Sequence, residues 1–206
     1  MPLAGQTWRH VVDPVVTDLF PLQPPPDGAP FTTVMSWEPY SALEFEGRLY
    51  GGKAREFEPF VELPRRTTVP LAMAVQGAIP KQRLRGAGWR IDDPAIVTRT
   101  LGHFHRYIAE SRGAFTVNKG YYVATWSGFF SDRSAAYLAS GRPVVMQDTG
   151  FSQYLPTGNG LFAVRTLEDA IEALAEIDGN YARHMTRARA VARDELDTSV
   201  VLPRFL

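Results

Sequence analysis

The sequence predicts a doubly wound α/β domain, a mostly parallel sheet with helices on both faces. Three observations lead there. Apolar runs such as Val69-Pro70-Leu71-Ala72-Met73-Ala74-Val75 are continuous rather than alternating, the pattern of a strand covered on both faces. Stretches with helical periodicity and capping residues fall between these runs and supply the crossovers that parallel strands need. The 206 residues, 45% hydrophobic and 12% aromatic, provide one domain-sized core without metal or disulfide staples.

Residues 1–30 carry Pro21, Pro24-Pro25-Pro26, Asp27-Gly28 and Pro30, with only a short apolar stretch from Val11 to Phe20. They read as an arm or linker ahead of a domain spanning 31–206. The β-branched and aromatic residues from Phe31 to Trp37, bounded by Pro30 and Pro39, predict the first strand. Residues 40–63 mix aromatics and acids around a turn at Gly51-Gly52, with a short amphipathic piece holding Phe57, Phe60 and Val61. Strands follow at 69–75 and 88–91. Asp93-Pro94 opens a helix, because the carboxylate caps free amides and proline fits the first helical position; it is expected to reach Arg112 and stop at Gly113. Ala114 to Val117 and Tyr121 to Thr125 read as strand or strand-like. Residues 131–140 read as a helix closed by Gly141, 143–147 and 160–164 as strands, and 167–177 and 181–196 as the final helices.

Charge and composition exclude several functions. Twenty-two basic residues balance 22 acidic ones at a pI near 6.9, so no global field draws the chain to nucleic acid or an anionic membrane. The absence of cysteine excludes thiolate zinc sites, iron–sulfur clusters, disulfides and cysteine nucleophiles. With no apolar run of membrane-spanning length and no charged leader, the expectation is a soluble, cytoplasmic protein.

In doubly wound sheets ligands bind beyond the carboxyl ends of the strands, where a loop enters a helix whose amides favour an anion. The segment from Trp126 to Ser134 fits that description. It combines a flexible Gly128, hydroxyls at Ser127, Ser131 and Ser134, the carboxylate of Asp132 and the guanidinium of Arg133, a set suited to a diphosphate. The same residues also suit an ordinary capped helix start. Elsewhere, Gly51-Gly52-Lys53 lacks the spacing of a phosphate loop and reads as a turn, and Lys119 reads as a solvated turn lysine within reach of a phosphate. His103 and His105 point about 200° apart on a helix, unlike a zinc pair, so no metal is expected. No Gly-x-Gly-x-x-Gly fingerprint occurs, which argues against a nicotinamide cofactor. The arginines at 183, 187, 189 and 193 read as part of a packed terminal helix.

The run Gly141-Arg142-Pro143-Val144-Val145-Met146-Gln147-Asp148-Thr149-Gly150 is followed after ten residues by Gly160-Leu161-Phe162-Ala163-Val164 and by the helix beginning Leu167-Glu168-Asp169-Ala170. This order resembles the C-terminal, nucleotide-sugar-binding domain of GT-B glycosyltransferases, a Rossmann-like domain, most strongly over 121–177. The resemblance implies a nucleoside diphosphate sugar as substrate and needs no metal or cofactor. By position it puts Asp132, Arg133 and the Ser127-Gly128 loop at the diphosphate and Asp148, Thr149 and Gly150 at the sugar end. It also implies a second domain for the acceptor, which 206 residues cannot hold, so the chain resembles the donor half as a fragment, a truncated homologue or a subunit. The positions where many members carry a glutamate pair hold Ala136 and Gly128 here. A degenerate half-domain docking onto a partner chain is the alternative.

Overall fold

A computed structural model describes residues 5, 11–38 and 42–204. The chain enters its sheet at β1 (Phe31–Ser36), where Thr32, Thr33 and Val34 suit a pleated strand. An antiparallel hairpin follows, β2 (Leu43–Phe45) and β3 (Arg48–Tyr50). It turns through Glu46 and Gly47 at φ 50° and 71°, the two positive values of a type I′ turn. Helices α1 (Lys53–Phe57) and α2 (Leu63–Arg66) lead to β4 (Leu71–Gln76), and α3 (Lys81–Gly86) leads to β5 (Arg90–Asp92). Two short helices, α4 (Pro94–Val97) and α5 (Leu101–Ala109), precede β6 (Gly113–Thr116). After α6 (Gly120–Ala124) and α7 (Asp132–Ala139) come β7 (Val144–Gln147) and β8 (Leu161–Val164). The end is helical: α8 (Leu167–Gly179), α9 (Tyr181–Val191), a π turn (Ala192–Leu196) and α10 (Thr198–Val201).

The six sheet strands are parallel, in the order β5-β4-β1-β6-β7-β8. The chain steps outward from β1 through β4 to β5, crosses over, and steps outward again from β6. The order therefore reverses between β1 and β6, and a crevice opens beyond their carboxyl ends.

Alternate strand residues feed two apolar layers. Phe31, Met35, Phe115 and Val145 meet Phe57, Phe60, Trp89 and Leu174 on one face. Ala114, Val144, Met146 and Leu161 meet Ile108, Leu138 and Ala188 on the other. The second face also holds a buried polar knot in which Thr32 Oγ1 lies 2.7 Å from Ser111 Oγ and 2.6 Å from the Tyr137 hydroxyl. That knot fixes α7 against β1.

Part of the proline-rich arm is docked on this second face, where Val15 and Phe20 join the core. Thr17 donates through its amide and hydroxyl to Asp197 at 3.1 and 2.6 Å. Two arginines gather backbone carbonyls. Arg189 donates to those of Thr17 and Phe20 at 2.8 Å each and to that of Ala139. Arg142, fully buried, donates to Gln23 at 2.7 Å, Ala109 at 2.6 Å and Ile108 at 3.3 Å. The Ala109 and Ile108 carbonyls end α5, where a cation is favoured.

Three expectations change. Tyr121 to Thr125 is helical, not a strand, because β1 and β7 already occupy both sides of β6 and leave a further strand nothing to pair with. The helix expected from Asp93 to Arg112 is two helices. Asp93 caps α4 through the Ala95 amide at 2.9 Å, and Thr100 starts α5 afresh by accepting from the His103 amide at 3.2 Å. Gly51-Gly52 is not the turn of its segment: Glu46-Gly47 turns the hairpin, and Gly52 stands at the N-cap of α1.

Candidate functional site

Lys53 is placed by its neighbour one turn on. Phe57 is fully buried among Trp37, Trp89 and Phe115, with ring centroids 5.6, 5.1 and 6.3 Å away. Residues four apart share a helix face, so anchoring Phe57 in the core turns Lys53 inward at the carboxyl edge of the sheet. Lys53 is only 6% exposed. It has no hydrogen-bond or ion-pair partner among the described residues. Burial, then the positive charges of Arg133 and Lys119, pull its pKa down to about 7, against a smaller upward pull from Asp132. The fold thus gathers three cations from three elements: Lys53 opening α1, Lys119 after β6, and Arg133 in the first turn of α7.

Polar bonds lock the loops around them. The Gly120 amide donates to the Gly51 carbonyl at 3.0 Å, joining the loops that follow β3 and β6. Asn118 donates through its amide to Gln147 Oε1 at 3.0 Å and through Nδ2 to the Gln147 carbonyl at 2.7 Å. Gln147 Nε2 in turn donates to Glu56 Oε2 at 2.8 Å.

Of the residues singled out in the sequence, Asp132 and Arg133 lie with Lys53 and Lys119. Asp132 is exposed and accepts from Ser131 Oγ at 3.3 Å. Ser131 is buried at the N-cap of α7. Ser134 faces the sheet, its hydroxyl 3.6 Å from Met146 Sδ. Ser127 is exposed and bonded within its own loop, accepting from the Phe129 amide at 3.3 Å. Gly128, at φ 75°, donates its amide to the Thr149 carbonyl at 2.7 Å. Thr149 completes that clasp by donating to the Phe129 carbonyl at 2.5 Å.

Asp148 is 3% exposed and holds its loop together. Its carboxylate accepts from the Gly150 amide at 2.9 Å, Ser152 Oγ at 2.8 Å and Arg165 at 3.2 Å. Gly150 has φ 99°, and a Cβ there would lie 3.0 Å from the indole of Trp126. Arg165 stands over the same indole at 4.6 Å. Glycine at 150 is thus required twice, by its backbone angle and by its neighbour.

Sequence reading took Lys53 and Lys119 for turn residues and passed over Glu56. A lysine after two glycines looks like a turn residue, and only the fold shows it buried. The available signal was the i, i+4 pairing of Lys53 with Phe57. Among the described residues no group of three or more histidines or carboxylates is placed to hold a metal ion, and no helix is long and apolar enough to cross a membrane.

No protein-family model matches the sequence, and no curated protein does. Solved structures do match. Sucrose-phosphate synthase (tll1590) from Thermosynechococcus elongatus aligns over 96% of this chain and 50% of its own at 10% identity, with a TM-score of 0.60. AviGT4, a glycosyltransferase involved in avilamycin A biosynthesis, aligns over 89% of this chain and 55% of its own at 13% identity and TM-score 0.52. The pneumococcal O-GlcNAc transferase GtfA, solved with UDP and GlcNAc, aligns over 95% of this chain and 37% of its own at 10% identity and TM-score 0.51. The chain therefore has the Rossmann-like fold of one half of a GT-B glycosyltransferase and spans 37–55% of the length of these three neighbours.

Proposed function

We propose that this glycosyltransferase-like domain binds a nucleoside diphosphate sugar, with the diphosphate at the carboxyl edge against Lys53, Lys119, Arg133 and the first amides of α7. The observation that carries this reading is the buried ammonium of Lys53, without a partner among the described residues, beside two further positive charges. Like charges gathered where solvent is scarce raise the energy of the empty site, and a dianionic ligand relieves that strain. The order reversal between β1 and β6 puts the cluster where doubly wound sheets take their ligands. In glycosyl transfer the bond from the anomeric carbon to the phosphate oxygen breaks, and negative charge grows on the departing diphosphate. Lys53 and Arg133 would stabilise that charge without reorganising. Transfer to an acceptor hydroxyl belongs to this domain paired with an acceptor-binding one.

Titration calorimetry with UDP, GDP and ADP tests the reading. One of them is expected to saturate a single site, and Arg133→Ala is expected to weaken it by about 1.5–3 kcal/mol, the value of a charged hydrogen bond. Stability should barely change, since Arg133 is only half-buried on a helix's first turn. No saturable binding, or an unchanged affinity in the variant, would refute the proposal.

A further inference from the structure

We propose that Glu56 recognises the sugar hydroxyls of the donor. The inference rests on the donor-binding reading above and deepens it.

Of the carboxylates beyond the carboxyl ends of the strands, Glu56, Asp132 and Asp148 differ in their surroundings. Both Asp148 oxygens are engaged, Oδ1 by the Gly150 amide and Oδ2 by Ser152 and Arg165. Asp132 is exposed on the first turn of α7. Glu56 is half-buried, and only its Oε2 is engaged, by Gln147 Nε2 at 2.8 Å. Its Oε1 accepts no hydrogen bond among the described residues. That oxygen lies close to Gly120, where a Cβ would stand only 3.0 Å from it, so only glycine at 120 lets Glu56 take this position.

Orientation is fixed from behind. Gln147 Oε1 accepts from the Asn118 amide, so its Nε2 must point to Glu56. The Gln147 backbone carbonyl accepts from Asn118 Nδ2, which holds both residues in register. A carboxylate braced in this way keeps one oxygen as a ready acceptor. Glu56 also lies three residues beyond Lys53 on α1, on the same face and about 5–6 Å away between Cβ atoms. That interval is the step from a diphosphate to the pyranose ring attached to it. Sugar hydroxyls donate to carboxylates, and a charged acceptor discriminates hydroxyl positions more strongly than a neutral one.

The test compares each nucleotide with its sugar: UDP with UDP-glucose and GDP with GDP-mannose, titrated into the wild-type chain, Glu56→Gln and Glu56→Asp. For the nucleotide that binds, Glu56→Gln is expected to weaken the sugar-bearing donor at least tenfold and to leave the nucleoside diphosphate within twofold. Glu56→Asp keeps the charge but withdraws it, and should show the same selective loss if Glu56→Gln fails to fold. Equal changes for both ligands, no change for either, or no donor binding by a wild-type chain that binds the diphosphate would overturn the role of Glu56. A wild-type chain that binds no nucleotide would instead overturn the donor site itself.

Discussion

Arg142 and Lys53 are both buried cations with no carboxylate bonded to them among the described residues, and the fold treats them in opposite ways. Arg142, at the amino edge of β7, gives its guanidinium hydrogens to three backbone carbonyls and so ties the arm to the end of α5. Lys53, at the carboxyl edge, gives its ammonium to no partner among the described residues and faces two more positive charges. A satisfied buried cation strengthens a fold, whereas an unsatisfied one weakens it. The amino edge is thus built for cohesion and the carboxyl edge for a ligand. Among the carboxylates, Asp197 is engaged by Thr17 and Ser199 and Asp148 by Gly150, Ser152 and Arg165, whereas Glu56 has one oxygen unbonded among the described residues.

Substitutions sharpen the contrast. The largest effect is expected at Arg142. Arg142→Met takes the shared donor away from the carbonyls of Gln23 and Ala109 and should cost about 3–5 kcal/mol, seen as a lower denaturation midpoint, with nucleotide affinity intact in the folded fraction. A loss below about 1 kcal/mol would show that the arginine is not what fastens the arm.

At Lys53 the sign reverses. Lys53→Met keeps the length and removes the stranded charge, so it should stabilise the domain by about 1–4 kcal/mol while abolishing diphosphate binding. Its pH dependence follows from the depressed pKa. The penalty is fully present below pH 7 and is relieved as pH rises from about 7 towards the usual lysine value. Wild-type stability should therefore rise across that window relative to Lys53→Met. A variant that is destabilised and still binds would contradict the assignment.

The smallest effect is expected at Asp197. Bonds from Thr17 and Ser199 hold its carboxyl well below the usual range, so its contribution is present above about pH 4 and is lost as the pH falls further. Partial exposure limits that contribution to about 1 kcal/mol, and Asp197→Asn should remove it along with its acid dependence. Chemical denaturation between pH 3 and 7 checks this.

Much of the architecture was legible because parallel strands are buried on both faces and announce themselves as apolar runs, as at residues 69–75 and 143–147. The Asp148-Thr149-Gly150 turn was legible for a local reason, a carboxylate bonding the amide two residues on; the helix start at Ser131 was legible too, although its hydroxyl turns to Asp132 instead of capping the helix. What escaped was long-range. Tyr121 to Thr125 has the composition of a strand and becomes a helix only because the sheet leaves it no partner. Arg142 and Arg189 look like ordinary surface arginines until the arm folds back over them. Lys53 looks like a turn lysine until Phe57 pulls its helix face inward, and Glu56 acquires its neighbours only when β7 lies beside that helix.

Proton uptake on binding tests the central claim most directly. At pH 8 a Lys53 with a pKa near 7 is mostly neutral, and a diphosphate beside it would restore its charge. Calorimetric titrations of the nucleoside diphosphate at pH 8, in buffers of different ionisation enthalpy, should show close to one proton taken up per ligand by the wild type and none by a variant such as Lys53→Arg, charged throughout. Binding without proton uptake, or with the same uptake in that variant, would contradict a site built around Lys53.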